Sequence, residues 1–337
     1  MIARRLAALA SVACAVNLHA GTAQQVDTTR TWENGSWRSL GEVTSADGIL
    51  DHPLSIALAG NSLYVFNGGP GTIVALSLDG HVRWRYTPPD SLRFHADRVV
   101  SLAPGLDGGV WAADPNSGRC TIISPLGAVE RVIPMHESAH IAPRRDGSFW
   151  RATFIGVRPS LFDARGTRVR TLRLPSSLIA PQDAVGDAFV AMTGDTLVVA
   201  YVDAGRFLIV PPPARGPVRD VRAIEPRPFP RFHQSDVVVG GKTLHTYKAG
   251  PDAAPATLGL AIDSGIIYAL YWNSRGAPGD RGRTLDTYRV STGAYEGSRR
   301  LPLPSSAIAV RGDVVYAVTD GGDLHIWRWT PAVPRPR

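Results

Sequence analysis

The chain has 337 residues, a formal net charge of +7, and a composition in which 44% of the residues are hydrophobic and 19% are charged. A chain of this length can bury a large core, so it does not need the disulfides on which very small domains depend. The basic excess is modest and comes mainly from arginine, which is compatible with attraction to acidic glycans or to an anionic cell envelope.

The N-terminus has the pattern of a secretory signal peptide, in which two arginines precede an apolar stretch that ends in small residues. We expect cleavage after Ala23, with Ala20 as the second choice, so residues 1–23 form the signal peptide. A lipoprotein acylated at Cys14 is the alternative, but the usual leucine is missing before it. The mature protein is then secreted or periplasmic, keeps only Cys120, and is not expected to meet nucleic acid.

No later segment approaches the ~20 apolar residues that a membrane-spanning helix needs. Instead, a short apolar strand with an aromatic or branched centre recurs six times, with 47, 39, 48, 70 and 48 residues between successive centres. The six strands are Leu63-Tyr64-Val65, Val110-Trp111-Ala112, Phe149-Trp150-Arg151, Leu197-Val198-Val199, Ile267-Tyr268-Ala269 and Val315-Tyr316-Ala317. In the first three repeats a glycine follows the central residue after sixteen positions, at Gly80, Gly127 and Gly166. Such a period predicts an all-β, six-bladed β-propeller of four-stranded blades.

The sixth repeat lacks its fourth strand, because the chain runs into prolines after Trp329. The segment Ser36–Val43 has the character of an outer strand and has no partner of its own, so we expect it to complete the last blade. Closure in this way removes the exposed sheet edge that an open ring would have. Residues 24–337 are read as one propeller domain, with its folded part at about 30–330 and a Pro-rich tail at 330–337.

The spacing of 70 residues indicates an insertion at about 219–256. It contains Val237–His245, where two strand-like runs flank a Gly-Gly pair and predict a hairpin. A seventh, degenerate blade at this place is the alternative architecture.

The glycine turns, short aromatic strands and secreted N-terminus resemble the six-bladed propellers of the NHL-repeat and bacterial secreted six-bladed families. The resemblance implies a disc with a central channel, whose upper-face loops contact ligands. Some members of these families are metal-dependent lactonases or amidating lyases, and many have no known activity.

Histidines precede the inner strands of three successive repeats, at His52, His95, His136 and His140. Imidazole is a common ligand of zinc, so these residues are the candidate metal site. His136 to His140 also matches the H-E-x-x-H pattern of zinc proteases, but that motif requires a helix and the repeat predicts a strand here.

A second set of candidates consists of Asn67, Asp114, Asp203 and other polar residues in the loops after the aromatic strands. In lactonase-like relatives a ring of such residues holds calcium, which prefers oxygen ligands. Asp and Asn are equally typical of tight turns.

The loop of the fifth repeat is long and basic and offers Trp272 beside arginines. Guanidinium groups next to an aromatic ring suit a carboxylate or a sugar acid. The candidate ligand-binding residues are Trp272, Arg275, Arg281, Arg283, Arg158 and Arg206.

Because no complete catalytic set is recognisable, the sequence favours a non-catalytic propeller that binds a peptide, glycan or protein partner, for instance an anionic one, on its upper face without a cofactor. The alternative is a metal-dependent lactonase- or lyase-type enzyme that uses zinc or calcium at the channel mouth.

Overall fold

The structure is a computed structural model that describes residues 30–90, 94, 100–135, 140–152, 158–172, 174, 187–225, 232–239, 242–249, 256–272 and 280–332. Six four-stranded antiparallel sheets form the blades of a propeller. The predicted signal peptide lies outside the described residues. In the part of the chain that is described, no helix is long and apolar enough to cross a membrane.

The first three blades follow one another along the chain, each in simple up-and-down order. Blade one contains β2 (Pro53–Ala59), β3 (Ser62–Asn67), β4 (Thr72–Ser77) and β5 (Val82–Tyr86). Blade two contains β6 (Ser101–Pro104), β7 (Val110–Asp114), β8 (Arg119–Ile123) and β9 (Val129–Pro134). Blade three contains β10 (Ile141–Pro143), β11 (Phe149–Arg151), β12 (Ser160–Phe162) and β13 (Arg168–Thr171).

The remaining blades include one strand from the N-terminus. Blade four contains β14 (Ala188–Thr193), β15 (Thr196–Tyr201), β16 (Arg206–Val210) and β17 (Arg219–Arg222). Blade five contains β20 (Thr257–Asp263), β21 (Ile266–Tyr271), β22 (Thr284–Arg289) and β23 (Tyr295–Arg300). Blade six contains β24 (Ser305–Arg311), β25 (Val314–Thr319), β26 (Leu324–Pro331) and β1 (Gly35–Val43). All six predicted strands with an aromatic or branched centre are second strands of blades, which confirms the repeat.

The core lies between the blades rather than in one central mass. Among the described residues, six clusters of buried apolar side chains each join two neighbouring blades. The cluster between blades six and one combines Tyr316 and Leu324 with Val65 and, from β1, Val43. Each sheet therefore buries both faces against its neighbours, and the blades stabilise one another around the ring.

The predicted closure by the N-terminal strand is confirmed. β1 pairs antiparallel with β26 from Gly35 opposite Pro331 to Val43 opposite Leu324, with one irregularity between Ser39 and Gly41. The Pro-rich tail that was predicted to begin at 330 therefore begins later, because β26 continues to Pro331. Pairing with β1 supplies the backbone partners that keep these last residues extended.

Residues 30–34 act as a strap that crosses blade five before β1 begins. Trp32 forms a parallel bridge with Ser298 of β23, and Arg30 enters the interior beside Asp286 of β22. The guanidinium donates from Nε and Nη2 to the two carboxylate oxygens of Asp286, at 3.0 Å each. Asp286 is almost completely buried, so the pair replaces the water that its charge has lost.

The insertion differs in one boundary from the prediction. Its described part contains a two-stranded sheet of β18 (Phe232–Val239) and β19 (Lys242–Ala249), in register from Val239 opposite Lys242. This confirms the hairpin, and within the described residues it is not a seventh blade. The insertion, placed at about 219–256, begins after Arg222, because β17 pairs with β16 as the fourth strand of blade four.

The turn glycines lie where neighbouring blades meet. The three predicted glycines, Gly80, Gly127 and Gly166, have φ values of 93°, 87° and 83°, and Gly293 takes the same position in blade five with φ 77°. A Cβ atom added at Gly127 would come within 3.0 Å of the Trp84 ring on β5, and one at Gly293 would overlap Val221 on β17. The glycines thus combine a left-handed turn with close packing on the preceding blade.

We expect Gly293→Ala to destabilise the protein more than Gly194→Ala. Both glycines have positive φ, but Gly194, in the turn between β14 and β15, has no atom within 4 Å of an added Cβ. Each alanine should cost about 1–2 kcal/mol for the left-handed backbone, and Gly293→Ala should cost about 1–3 kcal/mol more through overpacking. Urea unfolding of the two variants measures the difference, and equal losses would contradict the blade-contact role.

Candidate functional site

One face of the disc carries the long connections. Because the strands of each blade alternate in direction, all inner strands begin on this face, and the loops from second to third strand also emerge there. We call it the upper face. The six inner strands β2, β6, β10, β14, β20 and β24 pack side by side in a closed circle around the axis.

These strands enclose a central channel with a cavity of about 510 Å³, which lies within the range of ligand pockets. Its described lining contains six polar side chains, one from each blade. They are Ser55, Ser101, His140, Asp187, Thr257 and Ser306. Each stands within the first three residues of its inner strand or just before it, so the polar ring lies at the upper end. Below the ring the wall is apolar, with side chains such as Ile141, Phe189 and Leu258.

Three members of this polar ring contact one another. His140 Nδ1 lies 2.9 Å from Ser101 Oγ, and His140 Nε2 lies 3.4 Å from Asp187 Oδ2. The imidazole ring packs against Phe189 with 4.3 Å between ring centres, which fixes its plane. An ionised Asp187 requires a proton on Nε2, so in the neutral tautomer Nδ1 accepts the Ser101 hydroxyl proton.

Two carboxyl groups make this part of the mouth acidic. Burial alone would raise the pKa of Asp187, but its interaction with His140 and the Ala188 N–H outweighs burial and lowers the pKa below its usual value. Asp203, two residues after β15, has a raised pKa because it is buried and close to Asp187. Asp187 is therefore the charged carboxylate of the pair.

The arrangement has two chemical capabilities. A carboxylate with one side turned to the channel binds a cation or a hydrogen-bond donor that enters it. An imidazole between a hydroxyl and a carboxylate can also move a proton, although here serine lies on Nδ1 and aspartate on Nε2, the reverse of the serine-hydrolase order.

The predicted metal histidines are only partly described. His52 is exposed in the loop before β2 and has a positive φ of 54°, whereas His140 is held by Ser101 and Asp187. His95 and His136 lie outside the described residues, so the zinc site at the channel mouth stays a prediction. His140 comes directly before β10 and is not in a helix, which agrees with the sequence argument against a zinc-protease motif.

Two of the residues considered for calcium, Asn67 and Asp114, make turn contacts, and the calcium ring stays a prediction. Asn67 is buried, accepts the Asp51 N–H at 2.7 Å, and donates to Ile49 O at 3.0 Å. Asp114 Oδ1 accepts the Asn116 N–H at 3.0 Å. These contacts hold the loops next to the channel, which is the turn-forming role that the sequence left open.

The predicted basic surface consists of residues with different surroundings. Arg281 stacks on Trp272 with 5.2 Å from its guanidinium carbon to the ring centre. Arg283 donates from Nε to Leu301 O at 3.0 Å, and Arg158 is exposed before β12.

Arg206 makes a two-point pair with Asp220 of β17, with 2.5 Å from Nε to Oδ1 and 2.6 Å from Nη2 to Oδ2. Its charge is thus offset within blade four. Arg275 lies outside the described residues, so the anionic ligand predicted for this surface stays a prediction.

Sequence reasoning did not find Ser101 or Asp187 as partners of His140. Their spacing follows that of the blade centres, since each polar residue recurs at the start of an inner strand. That recurrence was the available signal. It was obscured because Ser and Asp are common at strand ends for structural reasons.

Comparison with known proteins gives a fold-level result. No protein-family model matches the sequence, and no curated protein matches it. Among solved structures, a catalytically inactive virginiamycin B lyase from Staphylococcus aureus, solved with quinupristin, is similar at a TM-score of 0.54 and 14% identity, over 87% of this chain and 99% of that one. A streptogramin B lyase gives a TM-score of 0.51 and 13% identity, over 90% and 100% of the two chains.

The β-propeller domain of Cps50 (Swd1) from Myceliophteria thermophila is similar to the same degree, with a TM-score of 0.51, 14% identity, and 88% and 100% of the two chains covered. The shared feature is the propeller. At these identities the likeness shows the fold alone, since propellers carry lyases and scaffolds alike.

We expect Asp187 to stabilise the protein in a pH-dependent way. Because its pKa is lowered in the folded state, its contribution is present above the unfolded value of about 3.9 and is lost as pH falls through the lower folded value. Asp187→Asn should therefore be less stable than the parent at pH 6–7, by on the order of 1 kcal/mol because the side chain is partly exposed. The gap should narrow as the pH falls below the unfolded value of about 3.9 and close once the folded carboxyl is protonated.

Urea unfolding between these pH values is the measurement. Asp195→Asn is the matched control, because Asp195 is exposed in the turn between β14 and β15 on the opposite face. A gap that stays constant with pH would contradict the role of the Asp187 charge.

Proposed function

We propose that this protein is an exported, ligand-binding propeller that takes the N-terminal end of a hydrophobic peptide into its central channel from the upper face. The proposal is carried by the division of the channel into two parts. The mouth is the ring of six polar side chains and is acidic, and the shaft is the apolar part of the channel below it.

The shaft supports the apolar part of this assignment. A cavity of about 510 Å³ has room for a few apolar side chains, and burial of apolar surface contributes roughly 25 cal/mol per Å². A glycan would place hydroxyl groups against Ile141, Phe189 and Leu258, where they would lose hydrogen bonds to water without replacement. Among the ligand classes that the sequence favoured, a peptide therefore fits best.

The residues of the mouth favour binding of the peptide's N-terminal ammonium group. Asp187 is held in its charged form, and His140 orients it from one side. Ser55 and Ser306, which are partly or fully exposed, stand on other sides of the ring and offer hydroxyl groups to the peptide backbone. A free N-terminal ammonium would thus meet a carboxylate and several hydrogen-bond partners at once.

The bases of two long upper-face connections are joined to each other. The insertion returns at Ala256, whose carbonyl accepts the Trp272 N–H at 2.9 Å. Tyr271 also donates to the carbonyl of Glu225, where the insertion leaves blade four. The hairpin and the blade-five loop thus share one base, and we propose that they contact the part of the partner that remains outside the channel.

The enzymatic alternative has narrower support. Of the two described histidines in the candidate metal set, His52 is exposed before β2, and His140 lines the channel with both ring nitrogens engaged. To bind a metal it would have to give up Ser101 or Asp187. Binding therefore accounts for the observed contacts without rearrangement, whereas metal-dependent catalysis requires one.

The test is calorimetric titration of the protein with trileucine amide and with its N-acetylated form. The free ammonium form should bind about tenfold or more tightly, because a hydrogen bond to a charged partner contributes about 1.5–3 kcal/mol. Asp187→Asn should remove the preference for the free amine. Ala191→Phe, which narrows the shaft, should weaken both peptides.

Asp195→Asn again serves as the control and should bind as the parent does. Equal affinity for the two peptides, or an unchanged preference in Asp187→Asn, would refute the assignment of the mouth to an ammonium group. Unchanged binding in Ala191→Phe would show that the ligand stays outside the channel.

A further inference from the structure

The β1–β26 pairing, which closes the ring and is called the seam below, brings three potential metal ligands together. Glu42 of β1 and His325 of β26 are directly opposite in the antiparallel register, so their side chains project to the same side of the sheet at close range. Asp323 precedes His325 by two residues, in the turn before β26. Residues two apart along an extended chain share one face, which places all three groups together.

The side-chain geometry agrees with the register. One ligand atom from each of Glu42, Asp323 and His325 lies within 4.8 Å of the other two. His325 Nε2 is 3.6 Å from Glu42 Oε1, which is longer than a hydrogen bond. Asp323 uses Oδ1 to accept the Ser45 N–H at 3.1 Å, and the described part of the chain gives its second oxygen no hydrogen bond.

The imidazole is fixed in place, and its ion-pair partner Glu42 lies beyond hydrogen-bond distance. His325 is only 9% exposed, and its ring stacks on Trp327 with 5.1 Å between centres and an interplanar angle of 16°. Within the described residues its ring makes no hydrogen bond. A buried imidazole that points at two carboxylates without a hydrogen bond is poorly satisfied on its own.

We propose that Glu42, Asp323 and His325 bind a divalent metal ion of the zinc class, and that this ion fastens β1 to β26. One imidazole nitrogen and two carboxylate oxygens suit zinc, with water completing a tetrahedral shell. Calcium prefers an all-oxygen set of six or more ligands, which this group does not offer. Glu42 is 45% exposed, so its side chain can close on the ion without movement of the backbone.

The ion would stabilise the closed form of the whole propeller. Its ligands come from opposite ends of the folded chain, and a cross-link between distant positions restricts the unfolded state strongly. It would also hold the pairing of the strand that completes blade six. The proposal does not depend on the proposed function, because the ligands lie at the outer edge of blade six and not in the channel.

The experiment is calorimetric titration of EDTA-treated protein with Zn²⁺, together with thermal unfolding with and without the ion. One Zn²⁺ should bind per chain and raise the melting temperature, since it binds the folded state in preference to the unfolded one. Glu42→Gln and His325→Gln should each weaken the affinity by about a hundredfold or more, because even outer partners of metal ligands are worth about 10–100-fold. Ca²⁺ should give no comparable effect.

Two control variants separate this site from others. His81→Gln changes an exposed histidine whose Nε2 lies 3.6 Å from Asp79 Oδ2, the same kind of pair without a third ligand. His140→Gln changes the channel histidine. Both should bind Zn²⁺ at the seam as the parent does, and circular dichroism of metal-free Glu42→Gln should match the parent.

Unchanged Zn²⁺ affinity in Glu42→Gln and His325→Gln would overturn the proposal. If the affinity is lost in His140→Gln instead, the ion belongs to the channel mouth and the enzymatic alternative gains support. Absence of any Zn²⁺ binding would equally overturn it and leave His325 and Glu42 as a plain ion pair.

Discussion

The pairing of β1 with β26 is the constraint on which the rest of the structure depends. A propeller blade buries both faces against its neighbours, so a last blade without its fourth strand would expose a sheet edge and loosen two interfaces at once. β1 removes that edge and adds Val43 to the cluster between blades six and one. The strap before it adds the buried Arg30–Asp286 pair, and breaking such a pair typically costs about 3–5 kcal/mol. The N-terminus thus ties blade five to blade six as well as closing the ring.

Closure also forms the candidate site. The channel exists because six inner strands meet in a circle, and its polar ring exists because each strand begins on the same face. No single blade contains a site, since Ser101, His140 and Asp187 come from three blades and meet only when the ring is complete. The acidic mouth and the apolar shaft therefore follow from the closed architecture, as does the placement of the insertion and the blade-five loop at the same end.

The architecture could be predicted because it repeats. Six strands with an aromatic or branched centre, glycine turns with positive φ, and an outer strand without a partner each report on local geometry. The β1–β26 pairing follows from counting strands. The site could not be predicted in the same way. His140 is visible in the sequence, but its partners Ser101 and Asp187 are ordinary strand-end residues, and Arg206 is equally visible as a ligand candidate until Asp220 is seen beside it. The pairing of Glu42 with His325 likewise requires the register of β1 on β26.

Native-state hydrogen exchange of the amides in β1 tests the central claim most directly. If β1 is an integral strand, the amides of 36–43 that face β26 should be strongly protected, and they should open with the same free energy as those of β25 and β26, as one cooperative unit. If the amides of β1 exchange rapidly while β25 and β26 remain protected, the N-terminal strand is a peripheral attachment. In that case the ring is stable without it, and closure by β1 is not the constraint on which the fold depends.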